Sequence, residues 1–85
     1  MNIAIIGSGY VGLVTGVCLA HIGHHVICVD NDPQKVKKLK KGVIPIYEPG
    51  LDAIMRDCVR KKRLSFSGSI KDATQKATVI FIAVG

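Results

Sequence analysis

Asn2-Ile3-Ala4-Ile5-Ile6-Gly7-Ser8-Gly9-Tyr10-Val11-Gly12 is the stretch whose reading decides the fold. Its first five residues are apolar and β-branched apart from Asn2 and Ala4, as in a strand buried on both faces. Glycines at 7, 9 and 12 then break the run. Beyond them Leu13, Val14, Val17, Cys18 and Ile22 recur at nearly helical spacing. That spacing predicts a helix over Val11–Ile22 with these residues facing the core, ended by Gly23. A buried strand, a glycine turn and a helix therefore follow one another within the first 23 residues.

The pattern repeats outward. His25-Val26-Ile27-Cys28-Val29 reads as a second buried strand closed by Asp30. Asp32-Pro33 is a helix start, an N-cap aspartate followed by proline at the first helical position. That helix runs to about Lys41 with Val36 and Leu39 inward, and Gly42 stops it. Residues 43–50 hold two prolines and a glycine and read as a loop. Leu51–Lys62 is a third helix, with Leu51, Ile54, Met55, Cys58 and Val59 on its inner face. Leu64-Ser65-Phe66-Ser67 alternates apolar and polar, as a short strand does. A helix over Ile70–Lys76 and a very apolar strand over Val79–Val84 complete the chain.

The order β-α-β-α-α-β-α-β places the chain in the α/β class. Strands separated by helices pair in parallel through right-handed crossovers. The expected architecture is a partial Rossmann-type doubly wound sheet, strand order 3-2-1-4, with helices on both faces. In that order the strand over 79–84 lies at an edge, where an apolar strand invites pairing. The 85 residues therefore read as one truncated domain of a longer protein, or as a chain whose edge another chain covers.

Composition agrees with one small globular unit. The chain is 48% hydrophobic and 21% charged, too apolar for disorder. No apolar run reaches the roughly 18 residues that span a bilayer, and no basic segment precedes residues 1–7 as in a secretory signal. Cys18, Cys28 and Cys58 are odd in number and widely spaced, which suits free buried thiols in a reducing, cytoplasmic setting. His21, His24 and His25 bracket a helix end without a metal-ligand pattern. Twelve Lys and Arg against six Asp and Glu give a net charge of +6, in blocks at Lys35–Lys41 and Arg56–Arg63. No aromatic residue is interleaved with these blocks, so they read as helix C-terminal cations and not as a nucleic-acid surface.

Gly7-Ser8-Gly9-Tyr10-Val11-Gly12 is a G-x-G-x-x-G motif between a strand and a helix, the context that gives it meaning. Gly7 permits the turn off the strand, Gly9 lets a pyrophosphate approach the backbone, and Gly12 lets the helix pack closely. The free N–H groups of Tyr10, Val11 and Gly12 then face the phosphates at a helix N-terminus. Gly16 extends the close packing. Asp30 ends the second strand, 18 residues beyond Gly12. A carboxylate there accepts hydrogen bonds from the adenosine ribose, and it repels a 2′-phosphate. Asn31 follows it, where an arginine would serve NADP. NAD is thus the expected cofactor. Asp32 takes the helix-capping role, leaving Asp30 for the ribose. Lys35, one turn into the next helix, reads either as a group at the adenosine end or as a solvated lysine.

Met1-Asn2-Ile3-Ala4-Ile5-Ile6-Gly7-Ser8-Gly9-Tyr10-Val11-Gly12-Leu13-Val14, Val29-Asp30-Asn31-Asp32 and Ile46-Tyr47-Glu48-Pro49-Gly50-Leu51 together resemble the N-terminal NAD-binding domain of the UDP-glucose/GDP-mannose dehydrogenase family. The resemblance covers the whole chain. It implies an enzyme that oxidises C6 of a nucleotide sugar from alcohol to carboxylate with two NAD molecules, through a cysteine thiohemiacetal and thioester. UDP-glucose is the first expectation for the sugar; GDP-mannose and UDP-N-acetylmannosamine are the alternatives. A non-catalytic dinucleotide-binding module is the alternative outside enzymes. The resemblance carries Val11 over as a backbone contact to the pyrophosphate, Asp30 as the ribose ligand and Lys35 as the basic residue at the adenosine end. Glu48-Pro49-Gly50 reads as a structural turn into the next helix. No catalytic residue of the family falls within these 85 positions, and a homo-oligomer is implied for the full-length enzyme.

Overall fold

The computed structural model describes residues 1–44 and 48–83, so Ile46, Tyr47 and the expected strand end at Val84 lie outside the described residues. Among the described residues four strands and four helices follow the expected order β-α-β-α-α-β-α-β. They are β1 (Asn2–Ile6), α1 (Tyr10–His21), β2 (His25–Val29), α2 (Pro33–Lys40), α3 (Leu51–Arg60), β3 (Leu64–Ser67), α4 (Ile70–Lys76) and β4 (Val79–Ile82). The strands form one parallel sheet in the order β3-β2-β1-β4. Ile5 at its centre pairs with Cys28 on one side and Phe81 on the other.

Alternation along the strands divides the core in two. Ile3, Ile5, Val26, Cys28, Leu64 and Phe66 share one cluster with Leu13 and Val17 of α1, Leu39 of α2 and Met55 of α3. Ala4 and Val29 face the other way, against Ala73 of α4, with Ile6 and Ile27 partly covered. Helices thus lie on both faces, but the first face holds most of the buried apolar surface, the main source of stability in a chain this small. β4 is an edge strand, and Ile80, Phe81 and Ile82 are exposed on it.

α1 corrects one expectation. Cys18 and Ile22 do not face the core: Cys18 is exposed and Ile22 is 70% exposed. The buried residues of α1 are Gly12, Leu13, Gly16, Val17 and Ala20. α1 is apolar nearly all round, so periodicity alone could not select its inner face. Backbone approach selects it instead. A Cβ on Gly16 would lie 2.7 Å from Cys28 Sγ and 3.2 Å from Ile5 Cδ1. The small residues at 12, 16 and 20 are the ones that can lie against the sheet. The cysteines are correspondingly mixed: Cys28 and Cys58 are buried, whereas Cys18 is not. Burial pushes the Cys28 thiol up to about 12. On α3, Ile54 is also exposed at the margin, outside the buried set of Leu51, Met55 and Cys58.

Three helices end in the same way. After α1, Gly23 N–H donates to Ala20 O and His24 N–H to Leu19 O, with Gly23 at φ +115°. After α2, Gly42 and Val43 bond to Leu39 O and Lys38 O, with Gly42 at φ +86°. Both are Schellman closures, which satisfy the last carbonyls of the helix. α3 closes identically through Lys62 and Arg63, but its left-handed residue is Lys62 at φ +62°. A lysine there carries the Cβ clash that glycine avoids. Lys62→Gly is therefore expected to stabilise the fold by about 1 kcal/mol, read as a rise in the urea unfolding midpoint with an unchanged slope.

Candidate cofactor site

The site is assembled at the C-terminal ends of β1 and β2, the end of a parallel sheet where ligands bind. β1 stops at Ile6, and Gly7 turns the chain with φ +106° while its N–H donates to Val29 O at 2.7 Å. That positive φ requires glycine. Gly12 is fixed by a second constraint. A Cβ there would lie 2.1 Å from Gly7 O and 3.2 Å from Ala83 Cβ, so the first turn of α1 rests directly on the turn that precedes it.

Gly9 differs from both. Its backbone is extended, at φ −71° and ψ −169°, and a Cβ on it would meet nothing within 4 Å. The chain's own packing does not demand glycine here. The space beside it is open to a group that approaches the backbone closely, as the motif reading expects. Gly9 is also the N-cap of α1, and no side chain caps that end or places an acid in its first turn. α3 also starts at a glycine without a side-chain cap, but it carries Asp52 in its first turn, and the other two helix starts are capped. Asp32 Oδ1 accepts from Gln34 N–H at 3.0 Å at the start of α2, and Ser69 Oγ accepts from Asp72 N–H at 3.2 Å at the start of α4. In α1 the first helical bond runs from Leu13 N–H to Gly9 O. The N–H groups of Tyr10, Val11 and Gly12 precede it, as the orphan donors of a helix start, at the positive end of its dipole. The open space at Gly9 and these donors suit a pyrophosphate.

Asp30 stands beside this turn at the tip of β2. Ser8 Oγ donates to its Oδ2 at 2.6 Å and Ser8 N–H to the same oxygen at 3.2 Å. Asp32 N–H donates to Oδ1 at 2.9 Å, and Lys35 Nζ lies 3.6 Å from Oδ2. Burial pushes the Asp30 carboxyl up, but the Ser8 hydroxyl, the two backbone N–H groups and the Lys35 ammonium outweigh it and hold the group below its ordinary value. A cleft of about 150 Å³ opens at this carboxylate, lined by Ile6, Gly7, Val29, Asp30, Asn31 and Ile70.

The structure brings Gly7, Gly9, Tyr10, Val11 and Gly12 to one turn, and Asp30 and Lys35 to its flank. It also shows what the sequence reading missed. Ser8 is buried, with 1% of its surface exposed, and its hydroxyl ties the glycine loop to Asp30. Asp30 itself closes a turn onto Asp32 N–H, a role the sequence reading left to Asp32 alone. The Tyr10 hydroxyl donates to Glu48 Oε2 at 2.8 Å, which fastens the start of α1 to the loop before α3 and raises the Tyr10 phenol above its ordinary value. Leu51 N–H donates to Glu48 O at 3.1 Å, and Gly50 has φ +84°. Glu48-Pro49-Gly50-Leu51 is thus a tight turn with proline and left-handed glycine at the two central positions, as a type II turn requires. Among the described residues no group of three or more His, Cys, Asp or Glu side chains comes together as a metal site, and no helix is long and apolar enough to cross a membrane.

Fold and loop define a dinucleotide-binding unit of the Rossmann type. Residues 1–85 match the UDP-glucose/GDP-mannose dehydrogenase family, NAD binding domain. Among curated proteins, UDP-glucose 6-dehydrogenase YwqF of Bacillus subtilis (strain 168) is 53% identical over 85 residues, all of this chain and 19% of that protein. UDP-glucose 6-dehydrogenase of Rhizobium meliloti (strain 1021) is 54% identical over the whole chain and 20% of its own length. A crystal structure of a ternary complex of GDP-mannose dehydrogenase from Pseudomonas aeruginosa superposes with a TM-score of 0.96 at 42% identity, covering all of this chain and 20% of that one. The chain belongs to the UDP-glucose/GDP-mannose dehydrogenase family and corresponds to its NAD-binding domain. It spans about a fifth of the length of the relatives it matches.

Two expectations follow from the site's construction. Gly12→Ala should cost about 1–3 kcal/mol or prevent folding, because the new methyl meets a backbone carbonyl that cannot rotate away; circular dichroism and urea titration read it. The second concerns acid. Asp30's carboxyl is lower in the folded chain than its ordinary 3.8, so its contribution to stability is present above that value and is lost as pH falls through and below it. Ser8→Ala weakens the tie, so the stability gap between the native chain and this variant should be constant near neutrality and close in acid. Urea unfolding at a series of pH values measures that gap.

Proposed function

We propose that this chain holds NAD through Gly7, Gly9, Tyr10, Val11 and Gly12 at the pyrophosphate and through Asp30 and Lys35 at the adenosine ribose. The observation that carries the reading is the open space at Gly9 in front of an uncapped helix start, beside a fixed carboxylate. The pyrophosphate approaches Gly9 and takes the N–H groups of Tyr10, Val11 and Gly12. Of the Asp30 oxygens, Oδ2 already receives two hydrogen bonds and the ammonium, whereas Oδ1 receives one. A ribose hydroxyl therefore donates to Oδ1, and Lys35 lies close enough to assist. Asp30 favours NAD over NADP. NAD, when bound, accepts a hydride; the chain's residues bind and orient it and supply no acid, base or nucleophile.

The whole protein, on this reading, is an NAD-dependent nucleotide-sugar dehydrogenase. Residues 1–85 belong to its cofactor-binding domain, and its catalytic and substrate-binding parts belong to other residues. The names of the relatives favour UDP-glucose, oxidised to UDP-glucuronate in two NAD-dependent steps. The likeness to a GDP-mannose dehydrogenase keeps that sugar as the second reading. A cytoplasmic homo-oligomer without a nucleic-acid or membrane partner completes the proposal. Calorimetric titration of the chain tests it: NAD should bind more tightly than NADP, and Asp30→Ala should weaken NAD by roughly 1–3 kcal/mol. Tighter binding of NADP to the native chain, or an unchanged NAD affinity in the variant, would refute the assignment of Asp30.

A further inference from the structure

β3 ends the sheet on the side away from β4, and among the described residues β2 is its one neighbour. Val26 N–H donates to Arg63 O and Asp30 N–H to Ser67 O, so the odd-numbered residues of β3 turn their backbone groups to β2. By the alternation of a strand, Leu64 and Phe66 turn theirs outward. The side chains of Leu64 and Phe66 are buried in the main core, so the edge is firmly held while its outer N–H and C=O groups stand open.

Two grooves share Lys40 beside this edge. One, of about 310 Å³, is lined by Lys40, Val59, Lys62, Leu64, Ser65 and Phe66. The other, of about 420 Å³, runs from α2 to Gly68 over Pro33 and Val36, bordered by Lys37 and Lys41. No acidic residue lines either groove. Lys37, Lys40, Lys41 and Lys62 are exposed, and none of them forms an ion pair among the described residues. Lys62 adds an observation of a different kind. It holds φ +62°, where glycine would be less strained. Strain borne at a surface position points to a use for the side chain, and Lys62 lines the groove beside β3.

We propose that the β3 edge receives an extended acidic segment of a partner protein as an added strand, its backbone pairing with Leu64 and Phe66 and its carboxylates meeting Lys37, Lys40, Lys41 and Lys62. Backbone pairing supplies attachment without regard to sequence. Alternate side chains of a strand fall on one face, so acids at every second position of the guest lie over the grooves that the lysines border. The same charge turns away a second copy of the chain. With 12 Lys and Arg against 6 Asp and Glu, pairing of two β3 edges sets these lysines against one another, as edge lysines do where self-pairing is avoided. A nucleic acid fits less well: its phosphates satisfy the lysines but offer no donor to the Leu64 and Phe66 carbonyls. The surface is separate from the cofactor site, since Lys35 is turned to Asp30.

The experiment titrates the isotope-labelled chain with an extended peptide alternating glutamate and threonine, followed by amide NMR and hydrogen exchange. The Leu64 and Phe66 N–H signals should shift and their exchange should slow, while those of Ser65 and Ser67, already paired with β2, should change little. The same peptide N-methylated throughout, or with lysine in place of glutamate, should leave both exchange rates as they are. Lys62→Gly separates binding from folding: it should raise the urea midpoint yet weaken the peptide about 2- to 5-fold, the range of one exposed ion pair. Lys40→Ala should weaken it similarly without the gain in stability. Unchanged exchange at Leu64 and Phe66 with millimolar peptide, or equally tight binding of the N-methylated peptide, overturns strand addition. Equal binding of the lysine peptide, or full affinity in both variants, overturns the acidic partner. A single-stranded oligonucleotide that binds more tightly and displaces the peptide makes this a phosphate-backbone surface and refutes the proposal.

Discussion

The contact between Gly12 and the carbonyl of Gly7 is the constraint on which the rest of this structure depends. It leaves no room for a side chain, so α1 begins directly against the end of β1. From that starting point α1 runs along the sheet on Gly16 and Ala20, and its depth sets which residues of β1 and β2 are buried. The same contact holds the glycine loop beside the tip of β2, where Gly7 N–H donates to Val29 O. One close approach between two glycines thus places both the main core and the groups offered to a dinucleotide.

Much of this was legible because strands, glycines and helix ends follow local rules. Beyond their exposed first residues, the strand runs at residues 2–6 and 25–29 are covered on both faces, and their sequences show it. Asp32-Pro33 marks a helix start through the chemistry of its own two residues, and Asp32 does accept from Gln34 N–H. The order β3-β2-β1-β4 follows from the handedness of crossovers. The inner face of α1 was not legible, since valine, leucine, cysteine and isoleucine surround it. Only the depth of packing at Gly16, a tertiary fact, excludes Cys18 and Ile22 from the core. Lys62 adopts a backbone that its sequence position does not announce, because the Schellman closure of α3 demands it of whatever residue stands there.

The candidate site divides in the same way. The meeting of Gly7, Gly9, Gly12 and Asp30 at one turn was readable from spacing, for each position follows from the backbone or from a strand end. Ser8 was not, although it stands inside the motif. Its hydroxyl acquires a role only when β2 brings Asp30 within 2.6 Å of it. The bond from Tyr10 to Glu48 joins residues 38 positions apart and depends on where the loop before α3 returns to the glycine turn. Three of the basic residues on and just after α3 are held in ion pairs that their spacing allows: Arg56 pairs with Asp52, and Arg60 and Lys61 both pair with Asp57, which is held below its ordinary value by them.

The unequal placement of the three cysteines gives the molecule an internal reporter of its own opening. Cys18 faces solvent on the outer side of α1, and an alkylating reagent meets it without any change in the fold. Cys28 lies beneath the same helix, against Gly16, where no reagent reaches it, and burial pushes its thiol up to about 12. The thiolate is the reactive form, so Cys28 is modified only when α1 lifts from the sheet. The ratio of the two labelling rates is therefore a clock for that separation, read on the native sequence with Cys18 as the zero of the scale.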